Sequence, residues 1–209
     1  MAVSALHLHA PKRWISAWFF FSSLLVLWDA GYIFARPHSF RGGWLFAPWA
    51  PYELYGTIDL IYSQRAYKEG WGFTAAQGAL NIVETILNFS YLYLAHRASP
   101  PYAAVAPLVG FTAVVMTESK TALYWLQDHL GGPNGWVYTG HCSTRDWWLL
   151  FALPNGAWLV GPAVVAYVLG REIAHSLRSG AGVAGHPKGP AAGTRSRSKS
   201  GRKSLTKAA

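Results

Sequence analysis

WWLLFALPNGAWLVGPAVVAYVLG, Trp147–Gly170, is an apolar run more than twenty residues long. An α-helix needs about 20 such residues to cross the hydrocarbon core of a bilayer. Three further runs match it: Trp14–Ala35, Gly72–Ala95 and Ala103–Gln127. The chain is therefore expected to be all-α, a polytopic membrane protein built as a bundle of four transmembrane helices. Trp14, Trp71, Tyr102, Trp125, Trp147 and Trp148 stand at the ends of the runs, where amphipathic rings settle at the membrane–water interface. Of the 209 residues, 52% are hydrophobic and only 13% charged, which suits one small membrane domain better than a soluble one. Cys142 is the single cysteine, so an intrachain disulfide is excluded. The first run follows Lys12 and Arg13 but is too long for a signal-peptide core and lacks a small-residue cleavage site. It reads as a retained helix.

Each run carries a polar group inside it: Asp29, Glu84, Glu118 and Asn155. Asp29 and Glu118 lie two-thirds along the first and third runs, Asn155 one-third along the fourth, and Glu84 near the middle of the second. Consecutive spans run in opposite directions, so these positions share one depth. A carboxylate in lipid costs at least ~2.5 kcal/mol. The three acids and the amide are therefore expected to face each other, a cavity or a ligand. Glu118 and Lys120 are two apart and point to different faces, which frees Lys120 to pair with an acid on another helix, Glu84 first. Glu118 and Thr121 share a face, as do Asn155 and Trp158. Pro154 and Pro162 each remove a backbone donor and can kink the fourth helix. An amide and an indole beside inward carboxylates can hold a hydrogen-bonded headgroup, or a cation over the ring. The structural alternatives are a buried ion pair for Glu118 and Lys120, an interhelical hydrogen bond for Asn155 and plain packing for Trp158. No pair of histidines has the spacing of a helical metal site, and no nucleotide loop or nucleophile elbow is present.

The net charge of +9 is uneven. From Arg178 onward the chain holds eight Lys/Arg and no acid, leaving ten basic and nine acidic residues elsewhere. The expected organisation is a cytoplasmic N-terminal segment (1–13), a membrane domain (14–175) and a disordered basic tail (176–209). Directly after a span, contact of the tail with anionic lipid is more economical than a nucleic-acid arm; a solvated tail without a specific role is the plain alternative. Lys12, Arg13 and Arg171 put both termini on the cytoplasmic side. The loops 36–71 and 128–146 then lie opposite. The first is rich in Pro, Gly and aromatics and is expected to be ordered, with a short interfacial helix in 59–70; the second carries a turn at Gly131–Asn134.

Several of these stretches resemble the emopamil-binding protein family, the EXPERA-domain sterol Δ8–Δ7 isomerases. Asn155, Trp158, Leu159, Val160 and Pro162 resemble its last-helix pattern; VETI at Val83–Ile86 resembles its second helix, LVLWDAGY at Leu25–Tyr32 its first and ALYWL at Ala122–Leu126 the end of its third. Tyr55, Asp59 and Tyr62 resemble the loop before helix two. The resemblance covers residues 15 to 175. It departs at Leu25 and Leu87, where the family has His and Thr, at Lys120, where it has a small residue, and at Asp29, where it has Glu. It implies a double-bond isomerase of a sterol or other isoprenoid in the endoplasmic reticulum membrane, acting through a carbocation. Asp29 and Glu84 would be the catalytic acid–base pair. Trp158 would stabilise the cation, Asn155 would orient a carboxyl, and Glu118, Lys120 and Thr121 would complete the substrate site. No metal or redox cofactor is required. The implied partners are a sterol or isoprenoid, the bilayer and, at most, a second copy as a homodimer; nucleic acid is not among them. Two rivals share the pocket: a non-catalytic binder of sterols and cationic amphiphiles of the sigma-2-receptor type, and a repurposed terpenoid cyclase or rearrangement enzyme.

Overall fold

The computed structural model describes residues 9–184, and among these the chain is helical throughout, with no strand. Helix α1 (Arg13–Phe34) leads into a loop that folds as α2 (Pro51–Ile58), a 3-10 turn at Leu60–Tyr62 and α3 (Gln64–Lys68). Helix α4 (Phe73–His96) is joined through the single turn α5 (Pro100–Ala103) to α6 (Ala106–His129). A second loop ends in the single turn α7 (Thr144–Asp146), a π-helical turn at Trp147–Ala152 and α8 (Leu153–Ala184). Three stretches are long and apolar enough to cross a membrane: Arg13–Phe34, Pro100–His129 and Thr144–Gly180.

Helix α4 is as long as α6, and most of its polar residues lie on one face. Thr74, Gly78, Asn81, Glu84, Thr85, Asn88 and Tyr91 are buried, at the three-to-four spacing that aligns side chains along a helix. Leu80, Ile82, Val83, Ile86 and Phe89 are exposed on the other side. The helix is thus inverted relative to one in a soluble protein, with its polar stripe inward and its apolar face outward. Asn88 Nδ2 donates to Ser23 Oγ of α1 at 3.1 Å, and Ser23 in turn donates to the Phe19 carbonyl. Such bonds can hold helices together where no water competes.

The long helices pack in the order α1–α4–α6–α8. At the crossing of α4, α6 and α8, Gly110 lets the fully buried Tyr91 ring approach: a Cβ on Gly110 would fall 2.7 Å from that ring and 2.9 Å from Leu169. Backbones of α1 and α8 hardly meet. Their seam is bridged by Trp18, whose ring lies over Gly161 and 6.0 Å from Trp158. His9, buried at the start of the described chain, bonds to Tyr91 Oη at 3.2 Å and to Glu172 Oε1 at 2.7 Å, tying that segment to α8.

The first loop is ordered, as expected, but its helical content exceeds the expectation. Pro51 starts α2, and Ser63 caps α3 by accepting from the Ala66 amide. Tyr32 and Tyr52 stack with ring centres 4.0 Å apart, and the Arg36 guanidinium lies 4.8 Å from the Tyr32 ring centre. Leu60 N donates to the Tyr138 carbonyl, joining the two loops on one side of the bundle. The fourth run differs from its reading at both ends. Its first residues form the π turn beside Pro154, which has no amide hydrogen to continue the regular ladder. At the other end α8 runs on to Ala184, past the expected domain boundary at 175; residues 185–209 of the expected tail lie outside the described residues.

Gly110→Leu should overpack the triple crossing and lower stability by roughly 1–3 kcal/mol. Gly156→Ala, where a Cβ meets nothing within 4 Å, should leave it unchanged or slightly higher. Thermal unfolding in detergent distinguishes the two; equal midpoints would mean that the Gly110 contact is not tight.

Candidate functional site

A cavity of about 430 Å³ opens where α1, α2, α4, α6 and α8 converge, within the range usual for small-molecule sites. Its walls are mostly apolar and aromatic, among them Leu25, Val26 and Trp28 of α1, Leu54 of α2, Leu150, and Pro154 and Trp158 of α8. Leu25 and Leu54 are also more than half exposed on the outer surface, so the mouth lies on an apolar flank of the bundle. The polar groups facing in are Asp29, Gln77, Asn81, Lys120, Thr121, Asn155 and four tyrosines, Tyr52, Tyr55, Tyr62 and Tyr124.

Two hydrogen-bonded chains reach the cavity. In the first, Tyr52 Oη donates to Asp29 Oδ1 at 2.6 Å and Asn81 Nδ2 donates to Asp29 Oδ2 at 3.1 Å. The Asn81 carbonyl oxygen accepts from Lys120 Nζ at 2.6 Å, and Lys120 Nζ lies 3.1 Å from Glu84 Oε2. Asn81 thus uses both ends of its amide to join a carboxylate to an ammonium. Glu84 is the ion-pair partner of Lys120, and Asp29 has no salt bridge of its own among the described residues, with Lys120 and Arg36 acting on it from farther off. Asp29 is also the one carboxylate among the described residues that lines the cavity.

In the second chain Asn155 Nδ2 donates to Tyr55 Oη at 3.1 Å and to the Phe151 carbonyl at 2.8 Å. Tyr55 Oη lies 2.9 Å from Tyr124 Oη, and Tyr124 Oη donates to the Asp59 carboxylate. Asp59 is buried at the end of α2 and also accepts from the Ile61 amide. Burial raises its pKa to about 7, against the hydrogen bonds from Tyr124 and Ile61 that lower it; the charges of Asp128 and Asp29 add to the rise. Burial likewise pushes the Tyr55 and Tyr52 hydroxyls far up, so both stay protonated.

The residues singled out in the sequence divide. Asp29, Lys120, Thr121, Asn155 and Trp158 line the cavity. The Lys120–Glu84 pair forms as anticipated, but Glu84 does not line the cavity, contrary to its expected convergence with Asp29 and Asn155. It is 1% exposed, and Asn81, one turn earlier, takes the facing position. Glu118 also stays off the cavity, half-buried on α6, although Thr121 faces in. Three residues along a helix leave a rotation of roughly 60° between side chains, enough to carry Glu118 round the edge. Of the four departures from the family pattern, Asp29 and Lys120 face the cavity, Leu25 sits at its mouth and Leu87 packs against the core beyond it. The reading missed Asn81, Gln77, Tyr52 and Tyr124 as site residues. The spacing Thr74, Asn81, Thr85, Asn88 carried a signal for Asn81; Tyr52 and Tyr124 look like ordinary interfacial aromatics in sequence. Comparison of the chain with family models, curated proteins and solved structures finds no match in any of the three.

Removing one member of a buried ion pair strands the other. Lys120→Met should therefore destabilise the protein by roughly 3–5 kcal/mol, and adding Glu84→Gln should recover most of the loss. Unfolding of both variants in detergent checks this. A double variant no better than the single one would show that Glu84 is not held by Lys120.

Proposed function

We propose that the cavity holds an apolar, isoprenoid-type lipid and stabilises a positive charge on it, and that the protein is a sterol or isoprenoid double-bond isomerase working through a carbocation. The observation that carries this reading is Asp29: the one carboxylate among the described residues that lines an apolar, aromatic cavity open to the outer flank of the bundle, held by Tyr52 and Asn81 and not by a salt bridge. A negative charge in such a low-dielectric site acts on a cation far more strongly than it would in water. Trp158 offers an indole face to the same cavity. In the reaction, an alkene carbon is protonated, Asp29 faces the cation that forms, and loss of a proton from another carbon sets the double bond in its new place.

The expected pairing of Asp29 with Glu84 as acid and base changes in this reading. Glu84 is engaged by Lys120 away from the cavity, so we assign it to holding Lys120 and Asn81 in position. That same observation favours a second reading, a non-catalytic receptor for cationic amphiphiles, since Asp29 alone suffices for an ammonium. We also propose that α4 is a fourth crossing, supported by its apolar outer face and inward polar stripe. The protein would then sit in the endoplasmic reticulum membrane with both termini cytoplasmic; shielding of a C-terminal tag inside sealed microsomes would argue against this.

Asp29→Asn keeps the shape of the side chain and removes its charge. Binding of a cationic amphiphile should weaken at least roughly tenfold, since hydrogen-bonded charge interactions contribute about 1.5–3 kcal/mol. Incubation of the wild type with a panel of Δ8-sterols and isoprenoid alkenes in deuterated water should place deuterium in an isomerised product, and Asp29→Asn should not. Tight amphiphile binding without deuterium in any product would sink the isomerase and leave the receptor.

A further inference from the structure

Asp59 lies outside the cavity and has no part in the site as read from Asp29, yet it is joined to the cavity wall by two phenols. Tyr124 Oη donates to its carboxylate, which leaves the Tyr124 oxygen to accept from Tyr55 Oη at 2.9 Å. Asn155 Nδ2 donates to Tyr55 Oη from the cavity side. With Asp59 ionised, the O–H bonds of both tyrosines are directed toward it, and the Tyr55 oxygen, on the cavity wall, keeps acceptor capacity. With Asp59 protonated the chain can reverse: Asp59 donates to Tyr124, Tyr124 to Tyr55, and the Tyr55 hydroxyl turns into the cavity.

We propose that Asp59, Tyr124 and Tyr55 form a proton relay that serves the cavity, with Tyr55 as the group that exchanges the proton with the bound lipid and Asp59 as the site that holds it. The proposal rests on the cation-stabilising reading of the cavity. The step balances without a co-reactant. When the relay delivers, an alkene π pair takes the Tyr55 hydroxyl proton, Tyr55 regains one from Tyr124, and Tyr124 regains one from Asp59, which becomes a carboxylate. When it collects, a C–H bond next to the cationic carbon breaks and its electron pair becomes the new C=C bond. The proton goes to Tyr55 while the Tyr55 and Tyr124 hydroxyl protons each move one place on, and Asp59 is again protonated. Asp29 takes no part in these proton transfers and faces the cation.

The charged and titratable groups around Asp59 are Tyr124 of α6, Tyr55 of α2, Tyr62 of the following turn, Cys142 of the second loop, Asp128 at the end of α6 and Asp29 of α1. Both carboxylates disfavour its ionised form. Asp59 therefore titrates near neutrality, where a proton can be held or given up readily.

The test uses the full chain in neutral-lipid nanodiscs, with dodecyltrimethylammonium as a stand-in for the cation. Its binding is measured at about pH 6 and about pH 8, together with the infrared band of protonated carboxyl groups. A cation in the cavity should draw the proton off Asp59, so the band falls on binding near pH 6, and affinity rises roughly fivefold or more toward pH 8 by reciprocal coupling. Tyr55→Phe breaks the chain without removing a hydrogen-bond partner of Asp29, which is held by Tyr52, Tyr62 and Asn81. Compared at ammonium concentrations that saturate each protein, this variant should lose both the band change and the Asp59 share of the pH dependence, whatever its remaining affinity. Tyr124→Phe should do the same, which covers the case of an Asp59→Asn protein that does not fold. Binding by wild type with no carboxyl change, or a response that persists in both phenylalanine variants, overturns the relay and leaves the cation cavity standing. Absence of ammonium binding by wild type overturns the cavity reading and the relay with it.

Discussion

The inward polar stripe of α4 is the constraint on which the rest of the molecule depends. If α4 is the fourth crossing proposed above, an amide or carboxylate on its outer face has no water to bond and costs several kcal/mol. Thr74, Asn81, Glu84, Thr85 and Asn88 therefore set the rotation of α4 about its own axis. Once that angle is set, Asn81 must find an acceptor for its amide hydrogens and a donor for its oxygen, and it finds them in Asp29 of α1 and Lys120 of α6. The same rotation brings Asn88 to Ser23 and Glu84 to Lys120. The neighbours of α4 are fixed by partners for its polar groups as much as by shape.

The cavity follows from where that bonding stops. Helices α1, α4, α6 and α8 pack in sequence, and no comparable set of bonds draws α8 back against α1. Trp18 over Gly161 closes part of the seam by bulk alone. The remaining gap is lidded by α2, whose Tyr52 and Tyr55 hydroxyls are engaged by Asp29 on one side and by Tyr124 and Asn155 on the other. A lid fastened through its tyrosines can stay in place while an apolar mouth remains at Leu25 and Leu54.

Much of this was legible in the sequence because hydropathy and depth are one-dimensional properties. The four helices could be read from run length, and the pairing of Lys120 with Glu84 from a two-residue offset that sends Lys120 away from Glu118. What the sequence did not resolve was azimuth. Glu84 and Asn81 lie at similar depth and both face inward, yet only Asn81 fronts the cavity, because a step of three residues carries Glu84 roughly 60° round the helix. Glu118 shares depth with the site and is turned away from it. Loop residues were harder still. Tyr52, Tyr55 and Asp59 belong to a segment rich in Pro, Gly and aromatics, where no long period marks an inward face, and α2 is only eight residues long. A resemblance in the spacing of Tyr55, Asp59 and Tyr62 was visible, but nothing in it linked Asp59 to Tyr124, 65 residues away.

The charge inventory of the cavity bears on which of the two proposed functions the fold favours. Lys120 and Glu84 cancel, the phenols and amides are neutral, and Asp29 remains. A negative interior of this kind receives an ammonium as readily as it stabilises a carbocation, so Asp29 cannot separate a receptor from an enzyme. The second chain has a use under either reading. Asp59 caps the turn at Leu60–Tyr62 and holds Tyr124 of α6, although burying a carboxyl carries a desolvation cost that its hydrogen bonds only partly offset, as the raised pKa of Asp59 records. An isomerase needs a place to keep one proton while the substrate is a cation, close enough to return it and far enough not to quench the cation as an adduct. Asp59 stands at that remove, with Tyr124 and Tyr55 between it and the cavity. Under the isomerase proposal the same chain would also hold the proton, so Asp59 would serve the fold and the reaction at once.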